Sequence, residues 1–138
     1  GFHYVVFGPD LRIPHASVAL ITRRSLIAKR SQVLGRFMLA MAEASKFLHT
    51  DKEFTYNVLA KQLRVEDRKV LDAAYNAEIK VLEQRLEIKP EALQAILEEV
   101  AQIDPRAKKV KPQDLIDYRY LDEMEKSGFF ERLWGSKG

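Results

Sequence analysis

The sequence predicts a mainly α-helical chain with one or two short strands at its N-terminal end, and three observations predict it. From Arg24 onward, apolar residues recur at spacings of three and four, the period of an amphipathic helix. Prolines at positions 90, 105 and 112 stand where helical turns begin, and proline at the first helical position forfeits only an amide that has no intrahelical partner. The first 22 residues differ: His3 to Phe7 and Ala16 to Thr22 are β-branched or aromatic runs bounded by Gly8-Pro9-Asp10 and Pro14. Two strands alone are marginal in water and leave unpaired edges, so these runs ask for partner strands.

The first helix is expected from about Ser25 or Ser31 to His49, with Val33, Leu34, Phe37, Met38, Met41, Ala44 and Leu48 on its apolar stripe. Gly35 interrupts it and marks a close approach to another backbone, because glycine in a helix interior costs about 1 kcal/mol relative to alanine. Thr50-Asp51-Lys52-Glu53 matches a capping box, with Thr50 as the N-cap of a second helix carrying Phe54, Val58, Leu59 and Leu63. A third helix is expected from about Glu66, its stripe running through Val70, Leu71, Ala74, Tyr75, Val81, Leu82 and Leu86.

Lys89-Pro90 opens a fourth helix with Ala92, Leu93, Ile96, Leu97 and Val100 inward. Asp104-Pro105 and Lys111-Pro112 open shorter turns. Tyr120 to Lys126 reads as a short helix ending at Ser127-Gly128, where Gly128 suits a left-handed C-terminal position. Phe129, Phe130, Leu133 and Trp134 then dock back on the body. Helix lengths and loop chemistry change at each step, with no fixed repeat.

Composition excludes several function classes. The 138 residues are 46% hydrophobic and 31% charged, enough for one core, with 23 basic against 20 acidic residues for a net charge of +3. That balance does not demand nucleic acid, and the basic run Arg106, Lys108, Lys109, Lys111 has no interleaved aromatic residue to stack a base. No nucleic-acid partner is therefore expected. Without cysteine there is no disulfide, thiolate zinc site or cysteine nucleophile. The apolar runs fall short of the roughly 18 residues of a membrane span, and no signal-peptide pattern opens the chain.

Catalytic and metal-binding patterns are missing as well. His3, His15 and His49 lack metal-ligand spacing, the glutamates Glu98-Glu99 and Glu123-x-Glu125 read as solvated helix faces, and no serine sits in a Gly-x-Ser-x-Gly elbow. Two stretches are candidates for binding. His15 stands at a strand entrance, where a side chain either projects toward a cleft or lies on a surface loop. Thr22-Arg23-Arg24 stands at a strand-to-helix junction, where an anion would meet guanidinium groups and helix amides, or where the arginines simply form surface ion pairs.

The order of these pieces resembles the return segment of periplasmic solute-binding proteins of ABC importers, of the nitrate, sulfonate, taurine and thiamine-pyrimidine-precursor type. The resemblance is carried by residues 13–27, 33–53, 58–61, 91–97 and 105–117, and by the terminal Leu121-Asp-Glu-Met-Glu-Lys-Ser-Gly-Phe129. It covers nearly all of the chain but about the last two-fifths of a typical family member. It implies the C-terminal part of a two-lobed α/β fold of the type II periplasmic-binding-protein class, in which residues 1–22 are a strand and hinge crossover and residues 23–138 the helical completion of the first lobe. It also implies a non-catalytic, cofactor-free role in a bacterial periplasm or in a membrane-associated extracellular setting. The expected partners are a small anionic or heterocyclic solute and an ABC permease. Pro14, His15, Ala16 and Ser17, with Arg23 behind them, are the expected solute contacts.

Two departures bear on this. His15-Ala16-Ser17 replaces the small residues usual after the family's proline-aromatic turn, and Arg85 to Pro90 lacks the expected aromatic and multiple prolines. A helical interaction module that forms homodimers is the alternative from another class. An enzyme related to pyrimidine-precursor synthesis is a third, for which the chain supplies no nucleophile or metal cluster.

Overall fold

A computed structural model describes residues 5–6, 16 and 18–135. The chain is mainly helical, with seven α-helices and one 3₁₀ helix among the described residues, and it divides into two compact units. One comprises residues 22–87 and 118–138; the other comprises residues 1–21 and 88–117.

The larger unit is organised on α1, Arg24–Thr50, whose path is helical except at Arg30 (φ −135°, ψ 36°), where two helical stretches meet at a kink. The two serines that sequence offers as helix starts, Ser25 and Ser31, thus each stand near the beginning of one stretch. Thr50 does not cap the second helix. It remains inside α1, its hydroxyl donating to the Lys46 carbonyl at 2.7 Å. Asp51 is the cap of α2, Lys52–Leu63, and its Oδ1 accepts from the Phe54 amide at 2.9 Å. A carboxylate beside a helix N-terminus is the stronger acceptor and also meets the positive end of the helix dipole.

Helix α3, Arg68–Glu78, is capped by Asp67, which accepts from the Lys69 amide. It stops eight residues short of the Leu86 expected from the apolar spacing. Beyond its end the chain is tied to α1: His49 Nε2 lies 3.2 Å from the Leu82 oxygen and Ser45 Oγ donates to the Gln84 oxygen at 3.0 Å. Leu86 takes a left-handed conformation (φ 59°), which leaves its side chain packed against the core.

That core lies where α6, Arg119–Lys126, and α7, Phe129–Trp134, meet the inner face of α1. Ala42 is fully buried, and Met124 and Phe130 are each 3% exposed, with Tyr120, Leu34, Met38 and Leu133 around them. Gly128 (φ 68°) makes the left-handed turn between α6 and α7, as expected, and Phe129, Phe130, Leu133 and Trp134 dock as expected. At Gly35 the neighbour is a ring rather than a backbone: a β-carbon there would lie 3.7 Å from two Tyr120 ring atoms.

The smaller unit holds α4, Pro90–Val100, the 3₁₀ helix Pro105–Lys109 and α5, Pro112–Leu115, each with proline in its first turn. Asp104 caps the 3₁₀ helix by accepting from the Arg106 amide and grips the Arg106 guanidinium with both carboxylate oxygens. That guanidinium holds the Asp104 carboxyl below its ordinary value. No described helix is long and apolar enough to cross a membrane.

The expected N-terminal strands are not formed among the described residues. Val5 and Val6 are irregular, and residues 18–22 run to Arg23 without strand pairing. Two short strands without a third or a covering helix lack the burial that would hold them. His3, Tyr4 and Phe7 lie outside the described residues.

Candidate functional site

Of the expected solute contacts, Pro14, His15 and Ser17 lie outside the described residues. Ala16 is half-buried and irregular and belongs to the smaller unit, whereas Arg23 belongs to the larger one. Arg23 is the exposed, extended N-cap of α1 (φ −92°, ψ 142°), and its carbonyl accepts from the Leu26 and Ile27 amides. Its side chain makes no cap hydrogen bond.

A group of interacting ionisable side chains lies on the α2–α3 hairpin. Asp72 Oδ1 accepts from the Tyr56 hydroxyl and from Lys52 Nζ at 2.8 Å, while Oδ2 accepts from the Asn76 amide at 2.9 Å. Lys52 also lies over the Tyr56 and Tyr75 rings at 5.3 and 5.2 Å, and the Arg68 guanidinium covers Tyr56 at 4.5 Å while pairing with Glu53. The Tyr75 hydroxyl donates to the Leu48 carbonyl, tying the hairpin to α1. The helical period brings Lys52 and Tyr56 onto one face of α2, and Asp72 and Asn76 onto one face of α3.

The electrostatics of this group follow from its geometry. The Lys52 ammonium first, and the Tyr56 hydroxyl second, hold the Asp72 carboxyl below its ordinary value. Asp72 in turn raises Lys52. Burial first, and the hydrogen bond to Asp72 second, raise the Tyr56 phenol. Each group is thereby held in its resting protonation state: carboxylate, ammonium and neutral phenol. A general base or nucleophile needs the opposite, a proton affinity brought toward neutrality. The arrangement is suited to locking two helices together.

A second feature is an open groove of about 820 Å³ in the smaller unit, lined by Glu91, Gln94 and Glu98 of α4 and by Lys108, Lys111 and Gln113. Its lining also includes Ala101, Ala107 and Val110. The Gln94 amide donates to Glu98 at 2.8 Å along the α4 surface. The groove opens to solvent.

Sequence reasoning missed the hairpin group because its members are separated by up to 24 residues and matched no catalytic spacing; the i, i+4 pairs Lys52/Tyr56 and Asp72/Asn76 were the available signal. It also missed the anchoring role of His49, whose Nδ1 lies 2.8 Å from the Ser45 oxygen and whose ring meets Trp134 edge-on at 5.7 Å. Among the described residues no group of histidines and carboxylates has the geometry to hold a metal ion. Comparison with protein-family models, curated proteins and solved structures finds no match to this chain.

Proposed function

We propose that this chain is the helical C-terminal completion of one lobe of a solute-binding protein that serves an ABC-type importer, and that its role is binding without catalysis. The resemblance of its ordered segments motivates the reading, and one structural observation carries it. Val18, Leu20 and Ile21 are 68%, 48% and 91% exposed in an irregular stretch that leads directly into α1. A strand-forming sequence exposed in this way fits an edge whose neighbouring strands belong to the rest of a lobe. In that setting Pro14, His15, Ala16, Ser17 and Arg23 contact an anionic or heterocyclic solute, and lobe closure presents a surface to a permease in a bacterial periplasmic or membrane-associated setting.

Titration calorimetry of the full-length parent against nitrate, taurine and an aminopyrimidine tests this. Saturable binding of one of them, weakened at least tenfold by His15→Ala or Arg23→Ala, is the expected result. A folded parent that binds none of them overturns the reading.

A second reading, a self-associating helical module, is favoured by a different observation: α1 carries a second apolar face that the larger unit leaves uncovered.

A further inference from the structure

The inner face of α1 contributes Leu34, Met38, Leu39 and Ala42 to the core. Its outer face carries Val33, Phe37, Ala40, Ala44 and Phe47, in alternating steps of four and three residues, all exposed; Val33, Phe37 and Phe47 are 47%, 48% and 51% exposed. Alternating steps of four and three keep one seam facing a partner along two helices packed at a shallow angle. The seam lies wholly C-terminal to the kink at Arg30, on the continuous stretch of helix. Phe54 extends it onto α2, its ring 5.2 Å from that of Phe47.

Two charges flank the seam. Arg36 and Glu43 occupy the same edge one heptad apart, both exposed, and neither forms an ion pair among the described residues. The other edge of the seam is Leu34, Met41 and Leu48, which are half-buried on the side of the core.

We propose that this seam pairs α1 with α1 of a second copy of the chain, antiparallel about a twofold axis, with Arg36 of each copy meeting Glu43 of the other. This rests on the self-association reading and assigns its face, direction and register. In that register Phe37 lies across from Ala40 of the second copy and Val33 across from Ala44, so in these central layers large side chains fall opposite small ones, and Phe47 lies at the margin opposite Arg30. Side chains tilt toward the N-terminus of their own helix, which brings the antiparallel Arg36 and Glu43 to the same height. Sliding the pair by one heptad in one direction sets Arg36 against Arg36, and in the other sets Glu43 against Glu43. A parallel, in-register pair would leave Arg36 beside Met41 and Glu43 beside Leu48, with no partner for either charge. The charges therefore select one arrangement out of those the apolar seam would accept.

The test is sedimentation equilibrium of the 138-residue chain, wild type and variants, at low salt. The expected wild-type species has twice the mass of the 15.9 kDa chain. Arg36→Glu and Glu43→Arg, each alone, are expected to weaken association on the order of tenfold, since two attractive exposed pairs become repulsive. An equimolar mixture of these two variants restores wild-type affinity, because both cross-pairs become attractive again. Both substitutions are at exposed positions, and helical circular dichroism verifies folding. A monomeric wild type overturns the self-association reading and this geometry together. A dimer whose affinity ignores both charge changes, or is not recovered on mixing, overturns the geometry alone.

Discussion

Helix α1 makes one junction of the larger unit and the α2–α3 hairpin holds another, and the two are built from opposite materials. Against α6 and α7 the contact of α1 is apolar, centred on Ala42, Met124 and Phe130. Beyond its other end, α2 and α3 are joined to each other by Tyr56, Asp72, Lys52 and Asn76, with Asp72 and Lys52 side chains 49% and 45% exposed. The first junction is held by burial, which is indifferent to proton concentration. The second is held by charge and hydrogen bonds at a half-solvated surface, where screening reduces each pair but leaves pH as a control. Two parts of one small unit thus respond to different perturbations.

The largest expected effect breaks the apolar side. Phe130→Ala removes a 3%-exposed ring from the junction and should cost about 4 kcal/mol of unfolding free energy in a denaturant titration. If the loss is under about 1 kcal/mol, α7 is not part of the cooperative core and the contrast between the junctions fails.

An intermediate effect sharpens the polar side. The Asp72 carboxyl is held below its ordinary 3.8, so in acid the unfolded hairpin takes up a proton first, and the stabilisation present above about pH 3.8 is lost as pH falls. Lys52 and Tyr56 are raised above their ordinary 10.5 and 10.0, so in alkali the unfolded chain releases protons first and stabilisation is lost as pH rises beyond about 10. Amide-exchange protection of α2 and α3 should therefore plateau between these limits and fall on both sides before that of α6 does. Asp72→Asn should lower the plateau and flatten the acid limb. An unchanged acid limb in that variant would show that other carboxylates control it.

The smallest effect concerns the space beside the apolar junction. A cavity of about 230 Å³ is lined by Gly35, Leu39, Tyr120 and Met124, and a β-carbon at Gly35 meets only ordinary contacts. Gly35→Ala should stabilise the chain by about 0.5–1 kcal/mol through helix propensity alone. Destabilisation would mean that Tyr120, held by its contact with the Ser31 hydroxyl at 3.2 Å, has no room to yield.

Much of the architecture was legible because it rests on local chemistry. Pro90, Pro105 and Pro112 open their turns, and Gly128 closes α6, since these residues restrict or release φ wherever they stand. The mistaken details are those in which two local solutions competed. Thr50 and Asp51 both qualify as caps, and Asp51 takes the position while Thr50 bonds backwards into α1. The stripe from Val70 to Leu86 predicts one helix, yet α3 ends at Glu78, and the chain beyond it meets His49 and Ser45 of α1 through the Leu82 and Gln84 carbonyls. The candidate contacts Pro14 to Ser17 came from the resemblance of ordered segments, and the local pair Asp72/Asn76 gave no sign of Lys52 and Tyr56, the partners of Asp72 that come from another helix.

By itself the sequence determined that this chain is mainly helical and where most helices start, because caps, prolines and apolar periods act within a few residues. Only the tertiary structure decided how α1 divides its apolar residues. Leu34, Met38 and Ala42 turn inward, while Val33, Phe37 and Ala44 of the same expected stripe turn out. Hydrophobicity is non-directional, so a helix apolar on two faces acquires an inside only when α6 and α7 pack against one of them.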